Sequence, residues 1–223
     1  MIIAIDGPAG AGKSSVTKIV AQNLGFSCLD TGAMYRAIAW YALENGVSLE
    51  DASALTDIAR SHVISFGHLE GDPSPAYVFL DSTDITDEIR TARIDKSVSS
   101  VSCVPGVREA LVAQQQRIGA EGDYVVEGRD IGTVVFPGAE LKVFLTASPE
   151  ERARRRVGQN KRRGVGSTDF EEVLADIVKR DESDMNRSDS PLKPAADAVL
   201  VDSTASTIDS IVSTICDLAK SRM

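Results

Sequence analysis

The chain has only two histidines, three cysteines, one tryptophan and eight prolines in 223 residues. Each scarcity excludes something. His62 and His68 stand apart from any cysteine or carboxylate at metal-ligand spacing, so ordinary packing or surface roles are expected for them rather than a zinc-type centre. Cys28, Cys103 and Cys216 are odd in number and lack C-x-x-C spacing, which argues against a disulfide framework and for a reducing compartment. No apolar run approaches the ~18 residues needed to span a bilayer, and no basic leader precedes the first apolar run, so a cytoplasmic protein without membrane contact is expected. Cations are also in short supply. The 24 Lys and Arg against 33 Asp and Glu leave a net charge of −9, which disfavours nucleic acid or an anionic membrane as partner.

What is present is a rhythm. Apolar runs at 2–6, 26–30, 124–127, 141–146 and 198–202 alternate with helical patterns, which predicts an α/β fold: a five-stranded parallel sheet with helices on both faces. Lys13 to Leu24 reads as a helix closed by Gly25, and 33–43 as a second closed by Gly46. Capping boxes at 148–151 and 168–171 open two more. A last helix, from about residue 205, aligns Ile208, Ile211, Val212, Ile215 and Leu218 on a core face. Segment 63–102 breaks the rhythm, with short strands at 63–66 and 77–80 around Gly67, Gly71, Asp72, Pro73 and Pro75. It reads as an antiparallel insertion, serving either a second substrate or regulation or, more plainly, as a decorative hairpin.

Directly after the first apolar run stands Gly7-Pro8-Ala9-Gly10-Ala11-Gly12-Lys13-Ser14, followed by Ser15 and a helical stretch. This is a phosphate-binding P-loop in strand–loop–helix context. Glycines let backbone N–H groups curl around phosphate oxygens, the following helix points its positive end at the anion, Lys13 supplies a point charge, and Ser14 offers a hydroxyl to Mg²⁺.

Three further constellations carry charge. Residues 152–163 hold Arg152, Arg154, Arg155, Arg156, Lys161, Arg162 and Arg163 and no acid. Arg152 and Arg156 lie one helical turn apart, with Gly164 and Gly166 as hinges, so a mobile arginine lid is weighed against a solvated helix face. Arg180, Asp184 and Arg187 fall at i, i+4 and i+7 on the helix opened at 168, which suits either a site stripe or an ion-pair ladder. The strand at 124–127 ends in Glu127-Gly128-Arg129-Asp130, at the edge where parallel sheets meet ligands, and Glu127 is placed to hold Mg²⁺ through water. Asp30-Thr31-Gly32-Ala33-Met34-Tyr35-Arg36, after the second run, adds a hydroxyl, a ring and a guanidinium. Two phosphate-binding regions are thus expected at one cleft.

Taken together, these blocks resemble the bacterial cytidylate kinase family, almost end to end. The similarity runs through 5–13, 29–36, Glu88-Ile89-Arg90-Thr91, Val107-Arg108-Glu109-Ala110-Leu111, 128–137 and Pro191-Leu192-Lys193-Pro194-Ala195-Ala196-Asp197. The resemblance implies transfer of the γ-phosphate of ATP to CMP or dCMP by a monomer, with Mg²⁺ and with no nucleic acid or membrane partner. It implies that Ser99 (with Ser97 and Ser100 alongside), Arg108, Asp130 and Arg187 face cytosine. Arg180 and Asp184 would reach the pentose, Arg36 and Arg129 the acceptor phosphate, and Arg152 and Arg156 would lie over ATP. Thr31 stands where relatives often have serine, and Glu127 where they often have aspartate. The implied organisation is a P-loop NTPase-like core at 1–30, 103–151 and 185–223, a nucleoside-monophosphate-binding region at 31–102, and a short lid at 152–168 followed by a core helix at 169–185. A GTP-dependent switch is disfavoured because Asn160-Lys161 continues into Arg162-Arg163 rather than a guanine-reading signature. RNA binding conflicts with the net charge.

Overall fold

The computed structural model describes residues 1–164 and 166–223; Val165, within the expected lid, lies outside the described residues. In chain order the elements are β1 (Ile2–Asp6), α1 (Lys13–Leu24), β2 (Ser27–Asp30), α2 (Thr31–Glu44), α3 (Ala52–Ser61) and β3 (Ile64–His68). Then come β4 (Pro75–Leu80), β5 (Thr83–Asp84), α4 (Ala92–Ser102), α5 (Pro105–Gly119), β6 (Tyr124–Gly128) and β7 (Leu141–Thr146). The chain closes with α6 (Pro149–Arg163), α7 (Phe170–Asn186), β8 (Val199–Asp202) and α8 (Ile208–Lys220). They form two compact units, Met1–Cys28 with Asp123–Met223, and Leu29–Gly122.

The first unit is built on a five-stranded sheet in the order β2-β6-β1-β7-β8, with β6, β1, β7 and β8 running parallel. Its strands are apolar almost throughout because both faces are covered. Ile3, Ile5, Val125, Leu141, Val143 and Leu145 form one core with Val16 and Val20 of α1 and Ile211, Val212 and Ile215 of α8. Full burial of each such side chain contributes about 1.5–3 kcal/mol, so the sheet dictates where α1 and α8 lie. Register then decides the site: Ile5 pairs with Glu127, and Asp6 with both Gly128 and Phe144, so the polar ends of β1 and β6 are level.

Local signals set most helix ends. Ser148 accepts from the Glu151 N–H at 3.2 Å and opens α6, and Gly25 closes α1 in the left-handed region. Three starts differ from expectation, and the first is α2, which begins at Thr31 under an Asp30 cap rather than at 33. The N-cap of α7 is Asp169, which accepts from the Glu172 N–H at 2.9 Å, one residue beyond the box at 168–171. An aspartate outcompetes the neighbouring threonine for that role. Likewise α8 begins at Ile208 under a Thr207 cap rather than near 205, which leaves Ile208 in the exposed first turn. The arginine-rich segment to Arg163 is regular helix, ended by Gly164 in the left-handed region. It packs on α7 through Ala153, Val173 and Ile177.

The second unit combines α2–α5 with a three-stranded antiparallel sheet, β3-β4-β5. The two main strands lie where expected, but the serine-rich end of the insertion is the helix α4, burying Ile94, Val98 and Val101. Gln114 of α5 accepts from Ile64 N–H at 3.0 Å and donates to the His62 carbonyl at 2.9 Å, tying helix to sheet. The segment from 103, expected in the core, begins with α5 inside this second unit. Within the first unit, the Ser27 N–H donates to the Asp123 carbonyl at 3.0 Å, so the chain leaves and re-enters that unit at neighbouring points.

β1 turns into α1 directly against the backbone of β7. A Cβ on Gly7, at φ +148°, would sit 1.9 Å from the Leu145 carbonyl oxygen, whereas one on Gly25, at φ +72°, would meet nothing within 4 Å. Gly7→Ala is therefore expected to destabilise by about 3 kcal/mol or more and Gly25→Ala by about 1–2 kcal/mol. Equal melting-temperature losses in the two variants would contradict the close approach at β7.

Candidate active site

The loop from Gly7 to Ser14 takes the expected shape, with Gly7, Gly10 and Gly12 all at positive φ. Its carbonyl oxygens are held by cations. Lys13 Nζ donates to the Gly7 and Pro8 carbonyls at 2.7 and 2.8 Å. Arg152 donates from Nη1 to the Ala9 carbonyl at 3.1 Å and from Nε to the Ala147 carbonyl at 2.9 Å. Its Nη2 meets Asp181 at 2.6 Å. Arg155 donates to the Ala11 carbonyl at 3.3 Å. A Cβ on Gly10 would lie 3.1 Å from Arg152 Cβ, so glycine is what lets α6 come this close.

Lys13 and Arg152 are almost fully buried. Burial above all, and the Arg129 charge next, pull the Lys13 ammonium well below the ordinary lysine value, with Glu127 and Asp6 working the other way and Arg180 adding to the depression. Arg180 thus belongs to the same electrostatic field as the loop. Arg156 is half-buried, one turn on from Arg152, and Ser15 is exposed beside Ser14 at the start of α1.

Ser14 Oγ donates to Glu127 Oε2 at 2.9 Å. A hydroxyl and a buried carboxylate in contact, next to a phosphate-binding loop, are the oxygen donors that Mg²⁺ takes when most of its shell is water and substrate phosphate. Among the described residues there is no group of three or more His, Cys, Asp or Glu suited to hold a metal by themselves.

Four of the sequence-predicted residues come together beyond β6. Arg129 Nε donates to Asp184 Oδ2 at 3.0 Å. Arg187 lies 3.7 Å from Asp130 and 4.0 Å from Asp184, and its Nε donates to the Ser190 carbonyl at 2.5 Å. The stripe reading needs correction here, because α7 ends at Asn186 and Arg187 is extended, at φ −63° and ψ 141°. The chain turns back through Ser190 in the left-handed region, and the guanidinium still returns to the helix end. Beneath them Asp6 accepts from the Ile131 and Gly132 N–H groups, both at 2.8 Å, bracing a single wide helical turn at Ile131–Val135. Such turns recur at functional sites.

In the second unit, Asp30 caps α2 by accepting from the Ala33 N–H at 3.1 Å and leaves buried Thr31 in the first turn. Arg36 donates from Nε and Nη2 to Asp95 Oδ1, both at 3.2 Å. The Arg108 guanidinium lies 5.6 Å from the Tyr35 ring centroid, and both residues are buried. Ser99 lies one turn from Asp95 on α4, whereas Ser97 Oγ is turned back to its own helix at the Arg93 carbonyl. Ser100 is exposed. Asp6, Asp95, Arg155 and Asp181 were not singled out from the sequence. Asp6 had a signal, being the acid that ends a strand just before the loop; the others depend on tertiary pairing.

A phosphate cradle at the carboxyl ends of parallel strands, ringed by buried cations, defines a P-loop phosphotransferase. A family model described as cytidylate kinase matches residues 3–221. Cytidylate kinase of Streptococcus thermophilus (strain ATCC BAA-491 / LMD-9) is 48% identical over 98% of this chain and 95% of its own length. That of Streptococcus pneumoniae (strain 70585) is 48% identical over 99% and 98%. The bifunctional pantoate ligase/cytidylate kinase of Trichormus variabilis is 46% identical over 100% of this chain, which spans only 42% of that longer protein. Among solved structures, an uncharacterized protein from Eubacterium ventriosum ATCC 27560 matches with TM-score 0.52 at 14% identity, covering 100% of this chain and 99% of its own. A gluconokinase from Sinorhizobium meliloti 1021 matches with TM-score 0.50 at 17% identity, covering 99% and 92%. These two share the fold. The chain belongs to the cytidylate kinase family, and with it is a kinase that phosphorylates CMP from ATP.

Burial is the main reason the Asp6 carboxyl titrates at about 6 instead of 3.8, with Asp130 adding to the rise and the two backbone N–H groups and Lys13 opposing it. The folded state thus binds the proton more tightly than the unfolded chain, so this contribution to stability is full below pH 3.8 and is lost as pH rises through about 6. Asp6→Asn removes the titration. Measured by denaturation, the stability of the parent relative to Asp6→Asn is expected to fall by up to about 3 kcal/mol between pH 4 and pH 8. A difference independent of pH would show that Asp6 does not titrate in this way.

Proposed function

We propose that the first unit binds ATP with Mg²⁺ and that CMP or dCMP accepts the γ-phosphoryl group by in-line displacement. The observation that carries the assignment is the charged group Arg129, Asp130, Asp184 and Arg187, held by mutual ion pairs next to β6, whose Glu127 meets the P-loop serine. In this proposal Gly7, Pro8, Ala9, Gly10, Ala11 and Gly12 cradle the triphosphate through backbone N–H groups, with Ser15 at the helix N-terminus. Ser14, and Glu127 through water, would hold Mg²⁺, which would supply positive charge to offset that of the phosphates. Lys13, Arg152, Arg156 and Arg180 stabilise charge that spreads over the equatorial oxygens as the bond to ADP breaks.

The acceptor is assigned to Thr31, Tyr35 and Arg36, with Arg36 and Arg129 on its phosphate, Arg180 and Asp184 on the pentose, and Ser99, Arg108, Asp130 and Arg187 on cytosine. Arg36 and Arg129 already form ion pairs, each inside its own unit, with Asp95 and Asp184, and these orient each guanidinium fork. The acceptor oxygen is ionised near neutral pH, so the attack needs no general base. Asp130 accepts from an exocyclic amine and repels the carbonyl that uracil carries in its place. Among the described residues no helix is long and apolar enough to cross a membrane; we place the protein in the cytoplasm as a monomer.

ADP release measured with ATP, Mg²⁺ and a panel of CMP, dCMP, UMP and AMP tests the assignment directly: CMP and dCMP should turn over best. Asp130→Ala should narrow the CMP-to-UMP ratio of kcat/KM by at least about tenfold, or about 1.4 kcal/mol. An unchanged ratio removes Asp130 from base reading. Lys13→Ala or Arg156→Ala should lower kcat by about 10³ in folded protein; turnover within threefold of the parent excludes the roles given to these cations.

A further inference from the structure

Arg155 was expected only as one of seven cations in an arginine-rich stretch, yet its guanidinium makes more contacts inside the first unit than a solvated side chain would. Nη1 donates to the Ala11 carbonyl at 3.3 Å and to Ser203 Oγ at 2.9 Å. Nη2 donates to the Ser203 carbonyl at 2.6 Å, and Nε to Glu151 at 3.1 Å. Ser203 is buried, its N–H donates to the Thr146 carbonyl at the end of β7, and its Oγ donates to the same Ala11 carbonyl at 3.0 Å. The Ala11 oxygen therefore accepts two hydrogen bonds from groups anchored outside the loop.

The importance of that oxygen follows from the peptide unit. No peptide bond among the described residues is cis, and in a trans peptide C=O and N–H point in opposite directions. Fixing the Ala11 carbonyl toward Arg155 and Ser203 points the Gly12 N–H the other way. Nothing local enforces this, because Gly12 sits at φ +95° and glycine crosses readily between positive and negative φ. A rotated 11–12 peptide would turn a carbonyl dipole, not a donor, toward whatever the N–H now faces. We infer that Arg155 is a positioning residue: with Ser203 it sets the orientation of the Ala11–Gly12 peptide and so preorganises one donor of the phosphate cradle, without touching the phosphates itself. Arg152 holds the Ala9 carbonyl in parallel fashion. The inference rests on the P-loop as triphosphate site, not on the identity of the acceptor.

Calorimetric titration of Arg155→Lys and Ser203→Ala with inorganic tripolyphosphate, ATP and CMP provides the test. Lysine keeps the charge and loses the fork. Arg155→Lys should weaken tripolyphosphate and ATP by a similar factor of about ten and leave CMP within about twofold; Ser203→Ala should give the same pattern at about threefold. If Arg155→Lys does not fold, Ser203→Ala carries the test alone. Unchanged tripolyphosphate affinity, including the case where ATP alone weakens because Arg155 touches the nucleoside, overturns the inference. So does a loss of CMP affinity equal to that of tripolyphosphate, which marks a general structural defect. Failure of the parent protein to phosphorylate CMP, with tripolyphosphate binding intact, would count against the proposed acceptor and leave the peptide-orienting role standing.

Discussion

A charge leaves water only at a cost of several kcal/mol unless a partner goes with it. The first unit withdraws many: Asp6, Lys13, Glu127, Asp130, Arg152, Asp181 and Asp184 are all less than a tenth exposed. Their pairing is the constraint under which the ends of β1 and β6, the loop after β1, and helices α6 and α7 take their places. Arg152 joins Asp181 on α7, the Ala9 carbonyl of the loop and the Ala147 carbonyl ahead of α6, so docking of the two helices and shape of the loop are one arrangement. A phosphate-binding site needs cations held ready, and here they are held by carbonyls and carboxylates that would otherwise be buried without partners.

What the sequence made legible was whatever depends on neighbours along the chain. The P-loop is eight consecutive residues, strands buried on both faces are continuous apolar runs, and Ser148 with Pro149 marks a helix start by local chemistry alone. The helix α4 was hidden by serines that favour turns, although Ile94, Val98 and Val101 carry helical spacing. Arg187 was misplaced on a helix because periodicity cannot foresee the turn at Ser190 that follows.

The remaining site partners needed the fold. Arg36 and Asp95 are 59 residues apart, and their pairing arises from the packing of α2 on α4. Asp6 is visible as an acid in an apolar strand, but its partners are backbone groups 125 and 126 residues on, created by a turn that no simple period describes. Arg155 shows the same limit from the opposite direction. Composition counted it correctly as positive, while only tertiary structure separates it from Arg154, whose recorded ion pair is with Glu151 in the same helix at 3.0 Å.

The hydrogen bond between Ser27 and Asp123 has an architectural corollary. Since the chain departs along β2 and returns along its sheet neighbour β6, the segment between them is entered and left at one edge of the sheet. Changes of length beyond β2 leave the ladders of β1 with β6 and of β1 with β7 unaltered, because every residue of those two ladders lies outside that segment. Insertions and deletions there can accumulate without a shift of register in the parallel sheet.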